Sequence, residues 1–419
     1  MSSQDLIQTL ALILAAGLLS RLLAEFVRLP EIVLMVAFGV ALGSHGLDWI
    51  DVPIDSIGAD LILTVGVAFI LFFGGLGLSL RVLREVGVSL GLLVGPGVVI
   101  TAAVTAVAAG LAFGLPADAA LLMGAVLAPT DPAILIPLFS RLRIAPRVSQ
   151  TVIAESALND PTGAILALAV AGVVATGDVS YTGEIADFLR TLAESSAAGV
   201  LIGLVLAFAV SSKRVGVWRE SPAIAALLAV SAGYFGLESL DGSGYLGAFL
   251  AGVLVGNMEL FGLEMHRRHQ LQLASFSADV ADVITMLVFL TLGVNLPLDE
   301  IVDQLGPGLV VLAVFVLVAR PLAVLACTLP DRRAAWTRQE RLFLCWTRET
   351  GVVPAALAGI LLRSDVPHAR LIASVVAMAI VVTLLAQATT AGWLARRLGL
   401  ATDEWAPATS EEPRMAMPT

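Results

Sequence analysis

Long apolar runs separated by short polar breaks follow one another along almost the entire chain. A membrane-spanning helix needs about 20 predominantly apolar residues, so most of these runs are long enough to cross a bilayer. The pattern therefore predicts an all-α polytopic membrane protein. The thirteen predicted spans are 6–20, 30–44, 57–80, 86–114, 118–139, 149–175, 189–211, 221–237, 243–260, 276–295, 306–329, 342–362 and 371–395.

The composition supports the same fold class. Of 419 residues, 58% are hydrophobic and only 14% are charged, whereas soluble domains carry about 25% charged residues. The chain is therefore expected to be surrounded by membrane lipid. A net charge of −10 would repel nucleic acid phosphates, so no nucleic acid partner is expected. The polar segment 400–419 predicts a disordered cytoplasmic tail.

The distribution of charge predicts how the chain is oriented. Nineteen of the 24 Lys and Arg residues lie in breaks that follow odd-numbered spans, and cytoplasmic loops are the ones enriched in Lys and Arg. The N-terminus is therefore expected outside and the C-terminus in the cytoplasm, in a bacterial-type inner membrane. The breaks on the opposite side carry acidic residues instead: Asp48, Asp51, Asp55, Asp178, Glu184, Asp187, Asp299, Glu300 and Asp303.

Several motifs typical of enzymes and pumps are missing from the sequence. Lys213 is the one lysine and does not lie in a phosphate-binding Gly-x-x-x-x-Gly-Lys motif, so no nucleotide partner is expected. Gly242–Gly247 matches Gly-x-Gly-x-x-Gly but lies in a short loop and follows no predicted strand. Cys327 and Cys345 are too few for a disulfide framework. We expect no enzyme activity and no cofactor.

Ionisable residues within the predicted spans indicate where the function lies. Asp131, Glu155 and Asp160 fall within spans five and six. Each costs about 2.5–3.5 kcal/mol to insert at mid-membrane, and such residues mark functional sites by default. Arg320 and Arg348 also lie inside apolar runs. Each arginine is expected to compensate a carboxylate, with Glu155 as the candidate partner of one of them.

Spans five and six together offer a set of hard oxygen ligands. Glu155 and Asn159 are four residues apart and share one helix face, with Asp160 beside them. Pro161 removes a backbone donor and is expected to kink the helix and to free a carbonyl near residue 157. Oxygen ligands of this kind suit Na⁺, K⁺ or protons. The expected cation- and proton-binding residues are Asp160, Asn159, Asp131, Thr130, Ser156 and Glu155; for a bound Na⁺ or K⁺ the ligands are these without Asn159.

A buried carboxylate can be shared in turn by a proton and an alkali cation. A site that crosses the membrane only when loaded with one or the other performs exchange without ATP, because moving an unpaired charge through a low-dielectric barrier is expensive. Asp160 is the expected carrier. The alternatives are a purely structural charge network, an intramembrane aspartyl protease that uses Asp131 and Asp160, and a cation channel or sensor without proton coupling.

Two predicted spans are interrupted near their middles. Span five contains Pro129-Thr130-Asp131-Pro132, and span twelve contains Thr347-Arg348-Glu349-Thr350-Gly351 followed by Pro354. Interrupted helices in corresponding positions of two halves point to the binding site of a transporter built from inverted repeats. Elsewhere, glycines spaced by four predict close helix packing or a sliding or dimer surface; they include Gly39/Gly43, Gly199/Gly203, Gly252/Gly256 and Gly87/Gly91/Gly95.

With Thr130-Asp131-Pro132 and Glu155-Ser156-x-x-Asn159-Asp160 on consecutive spans, the chain resembles the monovalent cation:proton antiporters, in the sodium/proton exchanger branch with an Asn-Asp pair. The resemblance covers about residues 5–398. It implies exchange of Na⁺ (or K⁺ or Li⁺) for H⁺ and a role in pH homeostasis. It also implies that Asp160 carries ion and proton, and that Asn159 goes with electroneutral exchange.

The resemblance further implies a homodimer with elevator-type movement. A transmembrane antiporter domain would span 1–399, with a core around 57–175 and 276–398 and a dimerisation part around 6–44 and 221–260. Spans five and twelve would cross at their unwound middles. The sequence departs from the branch in span twelve, because Thr350 stands at the position of the usual arginine of Gly-Leu-Arg-Gly. Arg348 lies two residues earlier, and Arg320 matches a basic position of the wider superfamily.

Overall fold

The structure is a computed structural model that describes residues 3–27, 29–50, 52, 56, 58, 61–131, 139, 144–176, 181–213, 216–364 and 366–401. Within these ranges all regular elements are helical. They are α1 (Ser3–Val27), α2 (Glu31–Leu42), α3 (Ile62–Leu76), α4 (Leu80–Val94), α5 (Pro96–Phe113), α6 (Ala117–Leu127), α7 (Pro146–Thr176), α8 (Tyr181–Val210), α9 (Pro222–Glu238), α10 (Gly244–Gly256), a 3₁₀ turn (Met258–Phe261), α11 (Arg267–Val294), α12 (Leu298–Asp303), α13 (Leu305–Thr328), α14 (Arg338–Trp346), α15 (Val352–Arg363) and α16 (Ala369–Arg397).

The lengths of these helices agree with an all-α membrane protein. In the described part of the chain, seven helical stretches are long and apolar enough to cross a bilayer, and six shorter apolar helices have 10–17 residues. Each predicted span overlaps one of them. The number of membrane crossings stays a prediction, because a helix of 10–17 residues does not reach across a bilayer by its length alone. The predicted tail falls outside the described residues from position 402 onward.

The predicted span 86–114 differs from a single straight helix. It is divided into α4 and α5 at Gly95, whose backbone angles (φ −93°, ψ −90°) are not helical. Pro96 explains the division, because its ring disfavours a helical conformation for the preceding residue and its nitrogen carries no hydrogen to donate. Pro96 then occupies the first turn of α5, where a missing donor costs nothing.

Three helices contain a wider, π-helical turn: α3 at Ile62–Gly66, α13 at Phe315–Ala319 and α16 at Leu384–Ala388. Such turns insert one extra residue into a helix and are frequent at functional sites. In α13 the N–H of Arg320 bonds to the carbonyl of Phe315, five residues earlier. The π turn therefore ends at Ala319, and the buried Arg320 follows it directly, just before Pro321.

Glycines allow several helix backbones to approach closely. A methyl group at Gly39 of α2 would lie 2.8 Å from the Cα of Gly293 in α11, and one at Gly199 of α8 would lie 2.8 Å from the Cα of Gly247 in α10. The Gly87 and Gly91 positions differ from the expected close packing. Added methyl groups there would meet no described atom within 4 Å, so no described helix backbone approaches closely at these two positions.

The connection between α13 and α14 is fixed to the rest of the protein by a buried polar group. Asp331 Oδ2 accepts hydrogen bonds from the N–H (3.0 Å) and the hydroxyl (2.7 Å) of Ser89 in α4. The indole N–H of Trp336 donates to the same hydroxyl at 2.8 Å. The guanidinium of Arg147, at the start of α7, lies 4.2 Å from the centre of the Trp336 ring. The connection therefore holds α4, α7 and α13 together at one end of the bundle.

Candidate functional site

The first part of the site is the end of α6. The helix stops at Leu127, and residues 128–131 continue without helical structure. Pro129 contributes to this ending because it cannot donate a backbone hydrogen bond. Its ring packs onto Gly163 of α7, where a methyl group would lie 2.5 Å from the Pro129 Cγ. Gly163 thus lets the unwound segment lie directly on α7; residues 132–138 of the same predicted span fall outside the described residues.

Thr130 is held in the unwound segment by two side chains of α7. Its N–H donates to Asn159 Oδ1 (3.2 Å), and its Oγ1 accepts from Asn159 Nδ2 (2.8 Å). The Thr130 hydroxyl donates to Ser156 Oγ (3.1 Å), whose own hydroxyl donates to the Thr130 carbonyl (2.5 Å). Both amide atoms of Asn159 are therefore engaged with Thr130, and all three residues are buried.

Asp131 joins the unwound segment to the interruption of span twelve. Between the end of α14 at Trp346 and the start of α15 at Val352 the chain is not helical. The Asp131 N–H donates to the Glu349 carbonyl at 2.9 Å, and Asp131 Oδ2 accepts from the Val352 N–H at 3.2 Å. A negative carboxylate is stabilised at this position because the first N–H groups of a helix lack partners within it. The unwound segment after α6 and the interruption of span twelve thus meet at Asp131, and we call this contact region the crossing.

Asp160 lies one helical turn after Ser156 on α7, close enough to Asp131 and to the Thr130 N–H for electrostatic interaction. Its Oδ1 is buried and has no hydrogen-bond partner among the described residues. A buried carboxylate oxygen without a partner carries a desolvation cost that a bound proton or cation would relieve. In the Asn159-Asp160 pair, Asp160 therefore has an oxygen that can bind a proton or a cation. The amide of Asn159 is hydrogen-bonded to Thr130.

Glu155 and Arg320 form a buried ion pair between α7 and α13. Arg320 Nη2 donates to Glu155 Oε2 at 2.9 Å and Nη1 donates to Oε1, a two-pronged geometry favoured by the planar guanidinium. Only 3% of Glu155 and 2% of Arg320 is exposed. Arg320 also donates to the carbonyls of Leu344 (2.9 Å) and Thr347 (3.3 Å) at the end of α14. The pair thus fixes α14 as well as α7 and α13.

Arg348 differs from the expectation that it faces a carboxylate. No acidic side chain of the described residues lies within ion-pair distance of it. Its Nη2 donates instead to the Ala128 carbonyl, and its guanidinium lies 4.8 Å from the centre of the Phe315 ring. The carbonyl at the end of α6 and the aromatic face supply the favourable contacts that a carboxylate would otherwise provide. Arg320 alone is paired with Glu155.

Glu349 is a buried carboxylate that the sequence reasoning did not select. It is 2% exposed and lies in the unwound part of span twelve. The rule that selected Asp131, Glu155 and Asp160, an ionisable residue within a span, applies to it equally. A small cavity at the crossing is lined by Thr130, Asp131, Val152, Glu155, Ser156, Arg320, Thr347, Arg348 and Glu349.

Almost the whole chain is similar in sequence to proteins of one known family. Residues 10–397 match the family described as sodium/hydrogen exchanger, transmembrane. The K⁺/H⁺ antiporter NhaP of Alkalimonas amylolytica is 28% identical over 90% of this chain, which spans 63% of that relative's length. A probable Na⁺/H⁺ antiporter 2 of Methanocaldococcus jannaschii is 27% identical over 87% of this chain and 86% of its own length.

A solved structure agrees with the fold. The sodium proton antiporter MjNhaP1 of Methanocaldococcus jannaschii superposes with a TM-score of 0.80 at 25% sequence identity. The alignment covers 94% of this chain and 99% of that chain. The similarity of fold therefore extends over almost the whole chain.

Proposed function

Because the chain belongs to the sodium/hydrogen exchanger family, an integral membrane family of transporters rather than enzymes, we propose that it exchanges an alkali cation for protons across the membrane. The solved structure that it resembles is a sodium proton antiporter. The chain spans less than two thirds of the length of the Alkalimonas relative, so the activity of that whole protein comes to this chain only as part of the proposal.

The observation that carries the proposal is the arrangement at the crossing. Two interrupted spans and α7 bring Asp131 and Asp160 into electrostatic contact, and the buried Oδ1 of Asp160 lacks a partner among the described residues. Such a carboxylate can take either a proton or an alkali cation, and the two ligands then compete for one set of oxygens. A structural network alone would leave no reason for an unpartnered carboxylate oxygen, because its hydrogen bond would stabilise the fold.

Competition at one carboxylate produces exchange when the loaded site crosses the membrane more readily than the empty one. An empty, charged Asp160 would carry an uncompensated carboxylate through a low-dielectric barrier, which is expensive. Loading with a proton or with Na⁺ removes that charge in either direction of movement. The charge of Glu155 is neutralised by Arg320, and this pair can persist during the whole transport cycle. The change in net charge of the moving part then comes from Asp160 and its immediate neighbours.

The proposed cargo is Na⁺ or K⁺, with Li⁺ as a further substrate. The oxygens of Thr130, Asp131, Ser156 and Asp160 are hard ligands that suit either ion. The name of the Methanocaldococcus relative indicates Na⁺ and that of the Alkalimonas relative indicates K⁺. K⁺/H⁺ exchange is therefore the second candidate. One cation for one proton, and hence electroneutral exchange, is proposed for both.

We extend the proposal to the assembly and its movement. The core, around 57–175 and 276–398, would move past a dimerisation part, around 6–44 and 221–260, of a homodimer by an elevator mechanism. A close contact between α3 of the core and α10 of the dimerisation part supports this division. A methyl group at Gly75 of α3 would lie 2.9 Å from the Val253 nitrogen of α10. The basic loops support an N-terminus outside and a C-terminus in the cytoplasm of a bacterial-type inner membrane.

Proton movement in everted vesicles or proteoliposomes tests the proposal. A pH-gradient dye is followed while Na⁺, K⁺ or Li⁺ is added, and the transported cation should dissipate the gradient. Asp160→Asn should abolish this response while the protein still inserts and remains monodisperse. Glu259→Gln, which removes a carboxylate from an exposed position in the 3₁₀ turn, is the matched control and should exchange as the wild type does.

Three outcomes would contradict parts of the proposal. Normal exchange by Asp160→Asn would remove Asp160 from the transport site. A cation current without any change in the proton gradient would indicate a channel. A rate that responds clearly to an imposed membrane potential would overturn electroneutral exchange while leaving antiport in place.

A further inference from the structure

Glu349 has a feature that the exchange mechanism described above does not use. The side chain is 2% exposed, and its Oε1 is buried without a hydrogen-bond partner among the described residues. Its backbone is nevertheless fixed, because its carbonyl accepts from the Asp131 N–H. A fixed backbone with an unsatisfied carboxylate oxygen is costly unless a ligand completes the site.

The space beside Glu349 has the size of a small ion. The cavity at the crossing is small, with a volume of about 10 Å³, against the roughly 10–15 Å³ that holds one water molecule. A dehydrated Na⁺ or K⁺ needs comparable room, and an organic ligand would not fit. The lining residues include six with carboxylate or hydroxyl groups: Thr130, Asp131, Glu155, Ser156, Thr347 and Glu349. Asp160 is not among the lining residues.

The charges around the cavity favour one monovalent cation. Glu155 and Arg320 neutralise each other in their buried pair. Of the remaining lining groups, Asp131 and Glu349 are acidic and Arg348 is basic. When all three are ionised, the lining carries one excess negative charge, separate from the charge of Asp160. Arg348 directs its guanidinium to the Ala128 carbonyl and the Phe315 ring. An uncompensated charge buried in the membrane is strongly unfavourable, and one alkali cation would neutralise it.

We propose that Glu349 is a direct ligand of the transported alkali cation, at a second position beside that of Asp160 in the same crossing. This inference rests on the proposed cation/proton exchange and adds a ligand to its site. Glu349 and Asp131 supply carboxylate oxygens, and the hydroxyl of Ser156 supplies a neutral one. The cation at this position therefore touches both interrupted spans, whereas Asp160 holds it on α7.

Cation binding by the purified protein tests the inference apart from transport. The thermal unfolding midpoint of the detergent-solubilised chain is measured against increasing NaCl or KCl, with N-methyl-D-glucamine chloride to keep the ionic strength constant. Glu349→Gln should shift the half-saturating cation concentration at least tenfold upward. It should raise the KM for the same cation in proteoliposomes by a similar factor. Glu259→Gln is the control and should change neither value.

Each result decides the matter. If the half-saturating cation concentration and the KM of Glu349→Gln lie within twofold of the wild-type values, Glu349 does not bind the cation and the proposal is overturned. Loss of exchange with an unchanged cation titration would also overturn it, because binding would then not depend on this carboxylate. If Glu349→Gln does not yield monodisperse protein, Glu349→Asp decides: a changed ratio of the Na⁺ and K⁺ half-saturating concentrations supports the proposal, and an unchanged ratio refutes it.

The test separates this inference from the proposed function. If the wild type binds a cation but moves no protons, cation/proton exchange fails while the titration of Glu349→Gln still judges the ligand. If the wild type exchanges normally and Glu349→Gln titrates like it, only the inference fails. Absence of any cation-dependent stabilisation of the wild type would overturn the second position.

Discussion

The buried pair of Glu155 and Arg320 leads to a sharp prediction about stability. Removing one partner leaves the other charge uncompensated in the membrane interior, which costs about 3–5 kcal/mol. Arg320→Met leaves the Glu155 carboxylate, which is 3% exposed, without its counter-charge. Glu155→Met does the same to the Arg320 guanidinium. Glu155→Met is therefore expected to lose about 3–5 kcal/mol of unfolding free energy. Arg320→Met is expected to lose more, because it also removes donors from the Leu344 and Thr347 carbonyls.

The double variant is expected to be more stable than the sum of the single effects indicates. Replacing both partners leaves no buried charge, and the remaining loss comes from the Leu344 and Thr347 carbonyls, which Arg320 supplies with donors at 2.9 and 3.3 Å. Each unsatisfied carbonyl costs about 1–3 kcal/mol. The double-mutant cycle should therefore give a coupling energy of about 3 kcal/mol or more.

Equilibrium unfolding in mixed detergent micelles, followed by tryptophan fluorescence, measures this coupling. The exposed pair of Arg190 and Glu194 on α8, joined at 2.8 Å, is the control and should give about 0.3–0.5 kcal/mol. Additive losses in the Glu155 and Arg320 variants, with a double variant as unstable as the two single losses combined, would refute the reasoning. The two side chains would then not be coupled in the membrane-embedded protein.

Two further predictions concern the crossing and the α13–α14 connection. A methyl group at Gly351 would overlap the Asp131 carboxyl group, so Gly351→Ala should lose cation-evoked proton movement in vesicles, while Gly87→Ala, whose methyl group meets open space, should not. Burial raises the pKa of Asp331, but hydrogen bonds, the strongest from the Ser89 hydroxyl, outweigh it and hold the pKa below its ordinary value. The contribution of this carboxylate to stability is therefore present above its unfolded-state pKa of about 3.9 and disappears as the pH falls through the lower folded-state pKa. Asp331→Asn should thus lower the thermal unfolding midpoint at pH 7, and the difference from the wild type should shrink on acidification; a difference independent of pH would contradict the assigned role.

Hydropathy along the chain was sufficient to predict the fold class and to place the helices. Each apolar run overlaps a helix, and the interruption predicted at 347–351 of span twelve coincides with a non-helical segment. The motifs on spans five and six also selected the site region, because ionisable residues are rare in membranes and are retained for function. These features depend on local sequence, which is why they could be recognised without a structure.

The partners of individual side chains could not be predicted in this way. The sequence offered both Arg320 and Arg348 to Glu155, and the choice depends on the π-helical turn that ends at Arg320 and on the carbonyl that faces Arg348. Likewise, the sequence could place Asn159 in the cation- and proton-binding set but could not show that the path of the unwound segment brings Thr130 to both atoms of its amide. Contacts between distant segments decide these cases.

The contacts at the crossing also bear on how cation binding could be transmitted. Asp131 bonds through its N–H to Glu349 and through its carboxylate to the Val352 N–H, while Thr130 is bonded to α7. The two interrupted spans and α7 are therefore linked by hydrogen bonds through two consecutive residues. A cation at Asp131 acts on all three segments at once, because any shift of the carboxylate also changes its bond to the start of α15. We therefore expect these segments to move as one body, and the sliding boundary to lie where glycine backbones meet a neighbouring helix rather than within this hydrogen-bonded unit.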